Sequence, residues 1–429
     1  MKLTKQILAT IAMLLCSLTV SADPVEINAI WYNLESGDMT AEVTTPTPSG
    51  TASSHYSGDI IIPSVVNYNE VEYTVTKIGE NAFAHDGITS IVLPESVCSI
   101  EKYAFWNCDL ISIDIPKSVT SIGEGAFGAC YGLTSIIIPK SVTSIGNSAF
   151  KGCPKLTSIV VEDGNEKYDS RDGCNAIIQT RINSLIAGCS TTIIPESVTS
   201  IGIYAFSDCS SLTSIKIPNS VKKIGSCAFY YCENLTDVSI NEDSQLTEIG
   251  NQAFDYCKSL TTFTIPAGVT SIGNKAFPNL TAVNIGSIEA WCKIPFENWE
   301  SNPLYYADLY LNGSLVTELV IPESVTSIGN YAFISCRSLT SITIPDGVTS
   351  IGKMAFDGCG NLTSVVIPGS VTDIGKYAFC WCDKLYSVTL SEGLWSIGEN
   401  AFTQCHSLTT ITIPEGTRYI NEEAFSNCI

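Results

Sequence analysis

One phrase returns thirteen times in this chain, at steps that are mostly 22 or 23 residues long. A chain that repeats at so short a period folds by stacking equal coils, each packed only on its neighbours, and not around one central core. The cleanest copy reads Leu133-Thr-Ser-Ile-Ile-Ile-Pro139, then Ser141-Val-Thr-Ser-Ile-Gly146, then Ala149-Phe150 and Cys153. An Ala-Phe pair marks each copy, with Phe at 83, 105, 127, 150, 206, 229, 254, 277, 333, 356, 379, 402 and 425; gaps of 56 residues follow Phe150 and Phe277. Length alone would predict two or three globular domains, but the repetition overrides that expectation.

Each part of the phrase has a physical task. In Leu-Thr-Ser-Ile-x-Ile-Pro the apolar residues alternate, as a short strand with one buried face requires. Proline, lacking an N–H, ends the strand. Ser-Val-Thr-Ser-Ile-Gly gives a second extended piece with Val and Ile inward and Gly permitting a turn. Ala-Phe supplies a small residue and an aromatic plug. The expected fold is therefore a β-rich solenoid of short strands in 22–23-residue coils, stacked ~4.8 Å apart.

Eleven of the 18 cysteines sit three residues after a repeat Phe. Equivalent positions in a solenoid form a ladder one coil apart, where a buried thiol acts as a small hydrophobe. That distance also permits disulfides. A reduced ladder is the preferred reading, because the chain after its leader holds an odd number, 17. CxxC pairs with clustered His, the mark of zinc, are absent, and no motif calls for a cofactor.

The first 22 residues read as a secretory signal: Lys2 and Lys5, an apolar run from Ile7 to Leu18, and Val20-Ser21-Ala22 as the cleavage site. No later stretch reads as transmembrane. Removal of the signal leaves 20 basic against 43 acidic residues, a net charge of −23. Such a chain repels phosphate backbones and anionic lipid, which disfavours nucleic-acid partners. With only three histidines (His55, His85, His406) and no nucleophile-elbow, metal or phosphate motif, an enzyme is not expected.

The Leu-x-x-Ile-x-Ile-Pro, Ser-Val-Thr-Ser-Ile-Gly, Ala-Phe and Cys elements together resemble the BspA-like subclass of leucine-rich repeats, over about residues 77–429. The resemblance implies a secreted or cell-surface, non-catalytic protein that binds a protein or glycoprotein, such as a host extracellular-matrix protein or mucin. It carries over no catalytic, cofactor or metal residues.

The breaks in the repeat are read separately. Residues 23–76 lack it; Thr44–Ser54 reads as a loop, and Asp59–Pro63 with Val71–Val75 as a hairpin capping the first coil. The degenerate coils fall at about 154–195 and 278–320. The acids of the first (Glu162, Asp163, Glu166, Asp169, Asp172) lack the alternation of a calcium loop. The second gathers Trp291, Phe296, Trp299, Tyr305 and Tyr306, which either pack the irregular coil or anchor a partner. There Asn312-Gly313 signals a type I′ hairpin. The strand position before Ile-Pro (Val92, Asp114, Ile137, Val160, Lys216, Thr264, Val320, Thr343, Val366, Thr389, Thr412) should face outward, as a partner-binding patch or as a row half-buried among neighbours. Candidate contact residues are thus Val92, Ile137, Val160, Lys216 and Val366 with the five aromatics of the insertion. The chain stops just after an Ala-Phe element, so self-association through an uncapped C-terminal coil is the alternative expectation.

Overall fold

The computed structural model describes residues 23–46 and 55–428. The expected signal, residues 1–22, and most of the Thr44–Ser54 loop lie outside the described residues. The chain is a β-solenoid of about 15 turns, and each coil has three sides.

The first side, the strand face, is built from parallel strands such as Ser135–Ile138 on Ser158–Val161, Ser214–Ile217 on Asp237–Ile240 and Ser364–Ile367 on Ser387–Leu390. Alternation sends Ile136 and Ile138 inward and leaves Ser135 and Ile137 in solvent. The second side is a ribbon of two-residue strands, Ser121–Ile122 beside Ser144–Ile145 and Ser327–Ile328 beside Ser350–Ile351, with Val142, Val198 and Val371 buried just ahead of them. Threonine recurs on both sides because its hydroxyl donates to a carbonyl one coil back: Thr157 to Thr134 at 3.3 Å, Thr143 to Thr120 at 3.2 Å and Thr363 to Thr340 at 3.0 Å. The turn glycine has a different reason from the expected one. Its φ is not positive; instead a Cβ at Gly375 would lie 2.5 Å from Gly352 C and 2.6 Å from Lys353 N, so glycine admits the neighbouring coil's backbone.

The third side is the Ala-Phe arc. Residues two before and two after each Phe take left-handed φ, Asn279 after Phe277 excepted, even when bulky: Tyr103 and Asn107, Cys227 and Tyr231, Tyr377 and Trp381. Such residues cost of order 1–3 kcal/mol each. The return is a third hydrogen-bonded ladder, since alternate N–H groups all point to the next coil: Tyr377 to Glu399 at 3.0 Å, Phe379 to Ala401 at 2.8 Å, Trp381 to Thr403 at 3.0 Å. Inside the arc the rings stack at 4.9–5.5 Å, for instance Phe206–Phe229–Phe254 and Phe356–Phe379–Phe402. The ladder cysteines are free thiols. Nine of the eleven donate to the Phe carbonyl of the preceding coil, as in Cys108 to Phe83 at 2.7 Å and Cys257 to Phe229 at 3.0 Å; Cys209 and Cys336, the first after each break, do not. Burial pushes the Cys153 and Cys209 thiols up to about 12, so they stay protonated, and Cys153 donates to the Phe127 carbonyl at 3.2 Å.

At the N-terminus, strands β1 (Val25–Ile27), β2 (Ile30–Glu35) and β3 (Thr40–Thr44) form an antiparallel meander whose last strand pairs in parallel with β6 (Val71–Ile78). The expected hairpin between 59–63 and 71–75 is not formed. β4 (Ser57–Ile61) instead pairs in parallel with β7 (Gly87–Val92) on the strand face, and β6 makes its hairpin with β5 (Val65–Tyr68). The reason is that Asp59-Ile-Ile-Ile-Pro63 carries the repeat's own Ile-Pro strand ending, so it seats as a coil.

Phe229 is fully buried between Phe206 and Phe254. Phe229→Ala should lower the unfolding free energy by ~3–5 kcal/mol in urea denaturation; an unchanged midpoint would remove the ring stack from the core.

Candidate functional site

The strand face positions the outward row one residue per coil, in register along the axis: Ile61 opposite Val92 and Ile137 opposite Val160. Val92, Ile137, Val160, Val320 and Val366 are exposed, and Lys216 is exposed with only a loose 3.9 Å ion pair to Glu196. Two further members were missed from sequence. Ile61 and Ile193 are the most exposed apolar residues of the row, at 72% and 76%. The signal was present: Ile61-Ile62-Pro63 and Ile193-Ile194-Pro195 both end in Ile-Pro, but Ser57 and Cys189 stand where the phrase opens with Leu. Together with Ile111 on an adjacent position, these residues form an apolar stripe over the first coils, interrupted by Asp114. Beyond Lys216 the row turns polar, through Ser239, Thr264 and Asn284.

The breaks in the repeat are solved structurally. In the first, Gly188 donates its N–H to Ala205 at 2.8 Å, as a repeat Phe would, and any Cβ there would strike the Phe206 ring. Two of its acids are engaged: Asp169 pairs with Arg171 at 2.6 Å, and Glu162 accepts from the Lys140 N–H at 3.1 Å. In the second, helix α1 (Ile288–Cys292), capped by the Ser287 hydroxyl, carries Trp291 into the core. In regular coils the carbonyl before Phe accepts the N–H of the preceding coil's Phe. At Ala332 that donor is missing, and the Trp291 indole Nε1 supplies it at 2.6 Å. Asn302 adds its Nδ2 to the Tyr331 carbonyl at 2.8 Å and the Ala332 carbonyl at 3.2 Å.

The insertion aromatics therefore divide. Trp291 and Phe296, expected as contact residues, are only 1% and 3% exposed and fill the coil; they cannot meet a partner. Trp299 and Tyr306 are exposed, and the half-buried Tyr305 lies between them, 4.4 Å and 4.9 Å from their rings. The Asn312-Gly313 turn joins Asp308–Leu311 to Ser314–Leu315 with positive φ at both residues, as expected.

One carboxylate on the arc is electrostatically unusual. Burial raises Asp357 from 3.8 to about 6, against a hydrogen bond from the Cys380 thiol that acts to lower it. A carboxylate so placed is kept at a cost to stability at neutral pH.

Among known proteins, the family model described as the BspA type leucine rich repeat region matches in six copies, over residues 65–172, 184–299 and 307–429. The fold is similar to that of a leucine-rich repeat protein from Bacteroides ovatus, at 23% identity and a TM-score of 0.52, covering 92% of this chain and 99% of that one. It is similar again to one from Eubacterium ventriosum, at 22% identity and a TM-score of 0.51, covering 83% and 93%. No curated protein matches the chain. Among the described residues no helix is long and apolar enough to cross a membrane.

Two outcomes follow from the geometry. Trp291→Ala should cost ~3–5 kcal/mol by urea denaturation, while Tyr306→Ala, at the surface, should cost under ~1 kcal/mol. For Asp357 the folded pKa lies above the unfolded one, so stability falls as pH rises from about 4 through about 6. Asp357→Asn should therefore match the parent near pH 4 and exceed it at pH 7.5 by on the order of 2–3 kcal/mol; a gain that does not depend on pH would refute this placement.

Proposed function

This chain belongs to the BspA-type leucine-rich-repeat family, and from that premise we propose that it is exported and holds a protein or glycoprotein on the strand face. The observation that carries the reading is the outward apolar stripe of Ile61, Val92, Ile137, Val160 and Ile193. β-Branched side chains, paired in register as Ile61 with Val92 and Ile137 with Val160, form an apolar surface with little conformational entropy left to lose on binding. An exposed row of this kind in a protein so rich in acids is suited to partner contact. Ile137 and Val160 do nothing for the coil interior that Thr or Ser does not do at the same position in later coils.

The ligand class follows from charge and from family. An acidic surface favours partners that are neutral or basic, and matrix glycoproteins or mucin are the class the family implies. The role is one of holding, not of chemistry: the coils repeat the same side chains, and the sequence offers no convergent acid, base and nucleophile. The outer leader with Lys2, Lys5 and Ala22 supports export.

The test is binding of the purified chain to immobilised matrix glycoproteins and mucin. Ile137→Asp with Val160→Asp should abolish saturable binding to the glycoprotein that the parent captures, with no change in melting temperature, because both side chains are exposed. Full retention of binding would dismiss the strand face. Loss of parent self-association in place of ligand binding would reassign the stripe to contact between copies.

A further inference from the structure

The arc carries a second surface whose chemistry differs from that of the stripe. Ser335, Gly358 and Trp381 occupy the same position on consecutive coils, two residues past Phe333, Phe356 and Phe379. Two small residues followed by a large ring leave a notch about two coils wide, ~10 Å at the usual inter-strand spacing. Trp381, which is exposed, closes one end and Tyr305 of the insertion lines the other. Gly358 has a φ of +74°, and a Cβ there would come within 3.1 Å of the Ser335 hydroxyl. The backbone alone does not demand glycine, since His85, Asn107 and Gln404 hold left-handed φ at the equivalent position. What glycine provides is an open floor.

Polar groups converge on that floor. Arg337, one of four arginines in the chain, and Lys384 line the notch without an ion pair among the described residues. Asp357 and Asn361 add acceptors; Asn361 spends its Nδ2 on the Arg337 carbonyl at 2.6 Å. Asp383 holds His406 at 3.0 Å, and that imidazole packs edge-on to Trp381 at 6.3 Å, which fixes the wall. Two cations therefore stand against two carboxylates, so the notch has no net preference for an ion. Aromatic walls that accept the C–H face of a pyranose, with donors and acceptors spread between them for its hydroxyl rim, are the features of a sugar site.

We propose that the notch between Tyr305 and Trp381, floored by Gly358 and Ser335 and lined by Arg337, Asp357, Asn361 and Lys384, binds a neutral oligosaccharide. It is a second site, on a different side of the coil from the outward row at Thr343, Val366 and Thr389, and does not rest on the strand-face reading. Asp357 fits this role: a half-buried carboxylate that the coil would be more stable without accepts hydroxyls from a ligand.

The experiment is calorimetric titration of the purified chain with lactose, N-acetyllactosamine, cellotriose, maltotriose and mannotriose at millimolar concentration. At least one should bind, and Trp381→Ala and Arg337→Met should each weaken that binding tenfold or more. Both side chains are exposed, so both variants should melt with the parent, and Ile137→Asp should leave sugar binding untouched. Silence from all five sugars overturns the proposal. So does binding that survives Trp381→Ala, or an acidic peptide or sialylated sugar that binds more tightly than every neutral probe.

Discussion

Everything in this molecule is set by one spacing, the distance at which the backbone of one coil hydrogen-bonds to the next. Three ladders hold it: the strand face, the two-residue ribbon and the arc. Only two of these are ordinary sheet. The arc joins in because residues flanking each Phe accept left-handed φ, turning alternate N–H groups along the axis. Once the step is fixed, the repeat residues are those that fit it. Gly375 and its equivalents lack a Cβ because the neighbouring backbone stands where one would go. Phe rings fall at stacking distance, and Cys is small enough to bury while its thiol still reaches a carbonyl one coil back.

The same constraint explains how the breaks are tolerated. A coil that lacks Ala-Phe would leave carbonyls on the next coil without donors, and an unpaired buried carbonyl costs roughly 1–3 kcal/mol. Gly188 meets the requirement with backbone and leaves room for the Phe206 ring. The second insertion meets it with side chains, through the Trp291 indole and the Asn302 amide. The Phe stack is thereby divided into three blocks; the strand-face and ribbon sheets also break at these divisions, while the core is split at the first and runs on past the second.

This division also marks where sequence could and could not be read. Period, strand alternation and the outward row follow from residue type, because each has a spacing that physics recognises. Ile61 and Ile193 belong to the row as well, because Ile-Pro ends a strand whether or not a Leu opens it. The insertion was harder. A cluster holding Trp291, Phe296, Trp299, Tyr305 and Tyr306 has no period, so composition alone gives no inside or outside; the orphan carbonyl at Ala332, not hydrophobicity, selects Trp291 for the core. Left-handed φ at Tyr377 or Trp381 leaves no sequence trace, since glycine, its usual mark, is mostly absent there.

A solenoid built this way separates stability from recognition by position. Inward residues and the axial donors admit few substitutes, as Gly188 and Trp291 illustrate by the specific means each uses to keep the ladder closed. Outward residues touch only solvent and their equivalents one step away, so the coil is indifferent to whether the row carries Ile137 or Thr343. That indifference allows one scaffold to offer surfaces of different chemistry at different heights and on different sides: a dry apolar stripe over the early coils, and a ringed polar notch on the arc after the second insertion. Placing the notch there also follows from the break. Tyr305 reaches the arc only because the insertion left the regular path, and a regular coil in its place would have offered an ordinary arc residue, not a wall for the recess that Ser335 and Gly358 leave open.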